Sequence, residues 1–333
     1  MVKAIRLHKS GGPEVLCYET IDVGAPGPGE VRLRHGAIGL NYVDTYLREG
    51  TGAYGDTDKP YPLDFPAILG FEGAGTIEAI GRGVTDLKPG DRVAYAAPPM
   101  GAYAEARLIP ADVLVKLPAA IDEAVGAAAM LKGLTAEYLL RRCHPIKPGD
   151  TILIHAAAGG CGLIMCQWAA HIGATVIGTV SSDEKASLAR THGCHHTINY
   201  SREDFVKRVR EITKGVGVSV VYDGVGRKTF TGSLDCLAPR GTLALFGQPS
   251  GPVDPVPLNW LTDRGSLFLT RPTLMTYIAK RDELVAAADA LFQAISRGII
   301  KIEIGQRFAL KDAADAHRAL ESRRTAGSSV LIP

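Results

Sequence analysis

The sequence predicts an α/β protein in which a β-rich N-terminal unit precedes a doubly wound parallel sheet. Three observations carry this. Before residue 121, short apolar runs alternate with Gly/Pro turns. From Thr151 to Phe246, apolar runs alternate with helical stretches at βαβ spacing. The first of those runs leads directly into Ala157-Ala158-Gly159-Gly160-Cys161-Gly162, a small-residue loop followed by a helix.

Taken in order, Ala4–Leu7 reads as a short strand, and Gly24–Glu30 as a turn-rich connector. Val31–His35 alternates with period two, as a half-buried strand does. Gly73–Gly81 reads as a strand with close backbone packing, and Lys88–Ala94 as a turn entering a strand. Such strands imply a compact barrel-like unit. Ile121–Arg142 has helical composition, weakened by Gly126 and Gly133 and ended by Pro145 and Pro148. Strands are then expected at Thr151–Ala157, Ala174–Val180, Thr197–Tyr200, Val218–Asp223 and Thr242–Phe246. Helices are expected at Leu163–Ile172, Asp183–His192 and Glu203–Thr213, the first closed by Gly173. The tail reads as a helix over Arg281–Arg297, a strand near Lys301, a helix over Asp312–Ser322 and a strand over Ser328–Ile332.

The small-residue loop has the pattern A-x-G-x-x-G, with Ala157 at the first glycine position. Small side chains let the chain turn tightly and bring backbone N–H groups close to a pyrophosphate. The following helix adds the positive end of its dipole. The same residues also fit a tight strand–helix turn that holds nothing. The second strand discriminates between cofactors, because an NAD site places Asp or Glu at its end. Here it ends Val180-Ser181-Ser182, with Lys185 nearby, which suits a 2′-phosphate. Asp183 counts against that reading, and Lys185 read alone is an ordinary solvated helix lysine.

Composition narrows the class. The 333 residues are 46% hydrophobic, enough for a large core without disulfide staples. A net charge of +2 gives little drive toward nucleic acid or an anionic membrane. The six cysteines are scattered with no C-x-x-C pair, as in a protein kept reduced. Met1–Ser10 carries Lys3, Arg6 and Lys9 and no apolar signal region, and no run of about 18 apolar residues occurs, so a cytoplasmic location is expected. Cys194-His195-His196 is the sole local cluster of metal-ligating types; adjacent residues point different ways, and it reads as a loop.

Gly70-Phe71-Glu72-Gly73-Ala74-Gly75, together with the nucleotide-type unit, resembles the medium-chain dehydrogenase/reductase superfamily. Zinc alcohol dehydrogenases of that superfamily carry G-H-E here, with the histidine on zinc. This chain has Phe71, which cannot bind a metal; Asn41 lies near the place of their cysteine ligand, and no cysteine lies between Cys17 and Cys143 to build their structural zinc lobe. The expectation is therefore no zinc. His8–Leu16, Asn41–Tyr46, Leu131–Thr135, His155–Gly160, Val221–Gly226, Glu321–Arg323 and Gly327–Ser329 are similar to the zinc-free, zeta-crystallin-like NADPH:quinone oxidoreductases.

That resemblance implies a GroES-like β-rich catalytic domain interrupted by a Rossmann domain, with boundaries at 1–125, 126–265 and 266–333. It implies NADPH as cofactor and homodimers formed through the Rossmann domain. By motif match, Gly159, Gly160 and Cys161 lie along the pyrophosphate, and Lys185, Tyr200 and Arg323, with Ser181, surround the 2′-phosphate. Read without the resemblance, Tyr200 is a strand-end aromatic and Arg323 a surface charge. Near the nicotinamide the match places Asn41, Tyr46, Lys132, Thr135, Val225, Phe246, Gly247 and Gln248. Asn41 and Tyr46 are also uncharged hydrogen-bonding groups able to orient a carbonyl without metal. Tyr46 and then Tyr54, in the long stretch Gly50–Phe65, are the candidate proton donors. The implied reaction is hydride or electron transfer to a quinone. The alternatives are an enoyl or alkenal reductase on the same scaffold and, more distantly, an RNA-binding or structural role. Partners are thus a small quinone or conjugated carbonyl, with no membrane and no nucleic acid.

Overall fold

The computed structural model describes residues 1–50 and 63–333. Packing divides them into two units. The first comprises Met1–Leu134, Ile278–Ser296 and Ile302–Pro333; the second comprises Thr135–Tyr277 and Arg297–Lys301. The first chain segment and the last thus belong to one unit.

In the first unit, a seven-stranded sheet runs in the order Ile304–Ala309, Ser328–Ile332, Glu30–Leu40, Glu72–Ile80, Arg92–Ala96, Val115–Lys116, with Ala106–Pro110 paired to Glu30–Leu40. Its pairs are antiparallel except that Ile304–Ala309 and Ser328–Ile332 run parallel. Val2–Arg6 and Cys17–Ile21 form a separate two-stranded ladder. Val31 and Leu33 are buried with period two, Ile38 is buried beyond the register shift at His35–Ala37, and Ile77, Tyr103 and Leu331 lie in the same core. Gly75 sits where a Cβ would lie 1.9 Å from the Arg34 carbonyl oxygen, so only glycine lets these strands approach so closely. The helix Tyr42–Glu49 starts at Asn41, whose N–H is accepted by Asp44 at 2.9 Å, and ends at Gly50 with φ 67°.

The helix Glu123–Tyr138 runs unbroken through both glycines, and a π-helical turn, Leu139–Cys143, follows it. Gly133 has a packing reason. A Cβ there would come within 2.5 Å of the Leu291 methyls on the helix Arg281–Ser296. Close helix approach overrides the propensity cost.

The second unit is a six-stranded parallel sheet in the order His196–Asn199, Thr175–Val180, Thr151–Ile154, Val218–Asp223, Leu237–Leu245, Phe268–Thr270. Numbered within the sheet this is 3-2-1-4-5-6, the order of a dinucleotide-binding fold, with its switch point beside Thr151–Ile154. The helices Gly160–Ile172, Asp183–Thr191, Phe205–Ile212 and Phe230–Cys236 make the crossovers. Leu153, Ile177, Ile198, Val221, Leu234 and Leu243 lie in the core beneath them.

One expected element is displaced. There is no strand at Lys301; the strand is Ile304–Ala309. Gln167 takes up the Lys301 backbone instead, accepting its N–H at 2.9 Å and donating to its carbonyl at 3.0 Å. The ladder begins only where Ser328–Ile332 supplies a partner.

Candidate functional site

The second unit gathers one set of residues at the carboxyl ends of its strands, where ligands bind in open α/β sheets. After Thr151–Ile154 the chain turns through Ala156, at φ 54°, into Gly159, which starts the helix Gly160–Ile172 without a side-chain cap. The glycines serve different ends. A Cβ at Gly162 would sit 2.4 Å from the Ala156 carbonyl oxygen, whereas one at Gly159 would meet nothing closer than 3.3 Å. Gly160 and Cys161 form the first turn, half-buried.

Ser181 follows the neighbouring strand, and Ser182 caps the helix Asp183–Thr191 by accepting the Lys185 N–H at 3.3 Å. Asp183 is turned toward its neighbours: Asn199 donates to it at 3.3 Å and Arg202 forms an ion pair with it. Tyr200, 44% exposed, hangs from the third strand, its N–H bound to the Val180 carbonyl. Thus Gly159, Gly160, Cys161, Ser181, Lys185 and Tyr200 lie along one half of the same edge.

Val225, Phe246, Gly247 and Gln248 lie along the other half, and Asp223 organises them. Fully buried at the end of Val218–Asp223, its Oδ1 accepts the N–H groups of Val225 (2.8 Å) and Gly226 (3.1 Å). Its backbone carbonyl accepts the Phe246 N–H at 2.9 Å. Its Oδ2 accepts the Ser233 hydroxyl at 2.8 Å, and Thr229 donates between both oxygens. Ser233 in turn accepts from His155 Nε2 at 2.9 Å, and Thr179 reaches His155 Nδ1 at 2.9 Å. This donor order places a proton on His155 Nε2. Burial lowers the His155 pKa, partly offset by Asp223. Thr135 is buried on the last turns of Glu123–Tyr138.

The first unit gathers Asn41 and Lys132 on a buried acid. Glu72, fully buried, accepts Asn41 Nδ2 at 2.7 Å and Lys132 Nζ at 3.0 Å on Oε2, and the Leu131 N–H at 2.6 Å on Oε1. Tyr46 stands one helical turn beyond Tyr42, its ring edge-on at a centroid distance of 5.3 Å. Phe71 is buried in the core. Arg323 is exposed just after the helix Ala313–Glu321, with φ 57°. It belongs to the first unit, Lys185 and Tyr200 to the second. Tyr54 lies outside the described residues.

Behind Asn41 runs a second buried chain. Tyr103 donates to Asp44 Oδ2 at 2.9 Å and accepts from His317 Nε2 at 3.0 Å; Arg48 donates to His317 Nδ1 at 3.0 Å and to Glu321 at 2.5 Å. Burial raises the Asp44 pKa to about 7, and Asp44 Oδ1 has no hydrogen-bond partner among the described residues.

Glu72, Asp223 and Arg202 are absent from the sequence-based candidates. A single acid inside an apolar run, as in Phe71-Glu72-Gly73 and Val221-Tyr222-Asp223, is the signal that marks the first two. Among the described residues no three His, Cys, Asp or Glu side chains gather in a metal-holding group. No described helix is long and apolar enough to cross a membrane.

Residues 27–119 match the alcohol dehydrogenase GroES-like domain, and residues 160–293 match the zinc-binding dehydrogenase family, a stretch that does not include position 71. A quinone oxidoreductase of Pseudomonas aeruginosa is 53% identical, with 100% of each chain covered. A 2-haloacrylate reductase of a Burkholderia species is 50% identical, covering 100% of this chain and 99% of its own. The crystal structure of Escherichia coli quinone oxidoreductase complexed with NADPH matches with a TM-score of 0.95 at 48% identity, covering 99% of this chain and 100% of that one.

Proposed function

The chain belongs to the quinone oxidoreductases of the medium-chain dehydrogenase/reductase family, and from that premise we propose that it reduces quinones with NADPH and without zinc. The observation that carries the cofactor choice is the end of the second strand. It offers the Ser181 and Ser182 hydroxyls, with Lys185 on the following turn, where an NAD site would offer a free carboxylate. Two acids stand on that turn: Asp183 is engaged by Arg202 and Asn199, and Glu184 by the Ser182 hydroxyl.

In this reading the uncapped N-terminus at Gly159–Cys161 takes the pyrophosphate. Ser181, Lys185, Tyr200 and Arg323 take the 2′-phosphate. Thr135, Val225, Phe246, Gly247 and Gln248, with Lys132, hold the nicotinamide end. When bound, NADPH supplies the hydride from its nicotinamide ring. The chain's own part is to orient the acceptor and stabilise charge developing on its oxygen. Asn41 and Tyr46 are the donors for that task, with Tyr54 as a further proton donor. Phe71, in the hydrophobic core, offers no lone pair to a metal.

A second acceptor class has specific support: the Burkholderia relative is a 2-haloacrylate reductase at 50% identity. Conjugated carboxylates and carbonyls present the same demand for a hydride and a stabilised oxygen. Steady-state NADPH oxidation with 1,4-benzoquinone and with 2-chloroacrylate, run in parallel, separates the two. Quinone turnover at background beside clear 2-chloroacrylate reduction overturns the first reading.

A homodimer through the parallel-sheet unit is also proposed. Its last strand, Phe268–Thr270, pairs on one side only among the described residues, and Phe268 is 62% exposed. Sedimentation at micromolar concentration tests this; a monomer overturns it. A cytoplasmic location fits six cysteines held as thiols rather than disulfides.

A further inference from the structure

Glu72 is one of the most deeply buried acids of the chain, and its ligands are the Asn41 and Lys132 side chains plus one backbone N–H. A carboxylate taken wholly out of water is tolerated only when paired and fully hydrogen-bonded. The chain also makes room for it. A Cβ at Gly39 would fall 2.1 Å from Glu72 Oε2 and 2.4 Å from the Ala127 carbonyl oxygen. Glycine is therefore required on the neighbouring strand for the carboxylate to reach Asn41.

We infer that Glu72 is a positioning residue that fixes the Asn41 carboxamide and the Lys132 ammonium for the proposed reaction. The inference rests on the reading that Asn41 faces the acceptor. An amide whose nitrogen donates to a carboxylate cannot flip without setting oxygen against oxygen. Glu72 thereby commits one Asn41 N–H to itself, and the other end of the amide faces the Asp44 N–H in the capping box. The second N–H is then the donor for an acceptor oxygen. The same Oε2 holds Lys132 at the buried end of its helix face, so one carboxylate aligns two donors on two elements.

The test is a double-mutant cycle of Glu72→Gln and Asn41→Ala, read as kcat and KM for 1,4-benzoquinone, as the NADPH Kd by calorimetry and as melting temperature. Acting through Asn41, Glu72→Gln lowers kcat/KM about 30-fold or more in the parent, mainly through kcat, but less than about threefold in the Asn41→Ala background. Equal losses in both backgrounds overturn the inference, as does a folded Glu72→Gln within threefold of the parent.

Asn41→Asp serves where Glu72→Gln does not fold. The introduced carboxyl faces Glu72 and the pair must share a proton. Lys132 and Asp44 are the other charged groups facing it, with Tyr95 and Tyr103 behind Glu72. Relative to the parent, melting temperature and kcat/KM are expected to fall progressively from pH 6 to pH 9 as the carboxyls grouped here, Asp44 included, lose their shared proton. A pH-independent ratio overturns the inference. If the parent reduces no quinone, the reaction reading fails alone; the melting curves still decide whether Glu72 holds Asn41.

Discussion

The Tyr103 hydroxyl donates to Asp44 Oδ2 at 2.9 Å, with both residues fully buried. His317, on the other side of Tyr103, is pushed down to about 3 by burial and then by Arg48, while burial pushes Asp44 up to about 7. These shifts act oppositely on stability. The unfolded chain binds the extra proton at His317 between about 3 and its ordinary value of 6.5, so that contribution grows as pH rises through this window. The folded chain binds the extra proton at Asp44 between its ordinary value of 3.8 and about 7, so that contribution is lost as pH rises. His35, also lowered to about 3 by burial, acts with His317. The three together favour stability rising from pH 4 to 6.5. Asp44→Asn removes the opposing group and should steepen the rise by about 1.4 kcal/mol per pH unit. Urea titrations at pH 4.5, 5.5 and 6.5 measure it; identical slopes for parent and variant would refute the Asp44 shift.

Removing the cation of the other buried cluster should be costly. Lys132→Met leaves the Glu72 carboxylate inside the first unit without its 3.0 Å partner. Breaking a buried pair from one side typically costs about 3–5 kcal/mol. Adding Glu72→Gln to Lys132→Met should recover a good part of that loss, because no unpaired charge then remains. Chemical denaturation of the parent, the single and the double variant reads both steps. A single variant within about 1 kcal/mol of the parent would contradict the pairing.

The fold was legible wherever local pattern and tertiary context agree. Val218–Asp223 is observed with the bounds expected of it, because Gly217 and Gly224 punctuate an apolar run. Ser328–Ile332 was equally clear. The Tyr42–Glu49 helix is not legible in the local pattern, since eight residues with Thr45 and Val43 give little propensity; Asn41, Asp44 and Gly50 define it from its ends. The strand expected near Lys301 forms at Ile304–Ala309 instead, because pairing with Ser328–Ile332 decides its place. The loop Gly159–Gly162 was visible because glycine spacing encodes it. Glu72 and Asp223 were not, because their roles depend on partners brought by other elements. Glu72 meets Lys132 across 60 positions, as Tyr103 meets His317 across 214.

Asp223 should prove as consequential as the loop. It accepts four donors: the Val225 and Gly226 N–H groups and the Thr229 and Ser233 hydroxyls. Asp223→Asn keeps the shape but replaces one accepting oxygen by an N–H₂ group, so donors meet a donor. Hydrogen bonds to a charged group are worth about 1.5–3 kcal/mol each. A loss of about 2–4 kcal/mol in stability is expected, with NADPH affinity about tenfold weaker as the Val225 turn loosens. Calorimetry and denaturation on the same preparation measure both, and an unchanged Kd would detach this acid from the cofactor.

Cofactor preference should follow the cations. NADPH is expected to bind much more tightly than NADH, and Lys185→Ala and Arg323→Ala should each narrow the gap by roughly tenfold, as loss of a charge-assisted phosphate contact implies. Arg202→Ala tests a different point. It frees Asp183 from its ion pair and restores a carboxylate beside Ser181, so NADH should gain relative to NADPH. Equal affinities for both cofactors in the unmutated protein would refute the 2′-phosphate assignment.

The two glycines of the loop should respond differently to alanine. At Gly162 the added methyl meets backbone only: the Ala156 oxygen at 2.4 Å and the Ala157 carbon atoms at 2.8 Å. None is a flexible side-chain end, so the turn must open, at a cost of about 1–3 kcal/mol. At Gly159 the backbone has φ −79°, open to any residue, and the nearest neighbour of a Cβ stands at 3.3 Å. Gly159→Ala should therefore fold with stability within about 0.5 kcal/mol of the parent. Yet it places a methyl on the face where a pyrophosphate must approach the backbone, and NADPH binding should weaken by about tenfold or more. Melting curves without cofactor give the first quantity and calorimetric titration the second. A Gly162→Ala protein as stable as the parent would overturn the packing role. A Gly159→Ala protein that binds NADPH like the parent would move the phosphates away from this glycine.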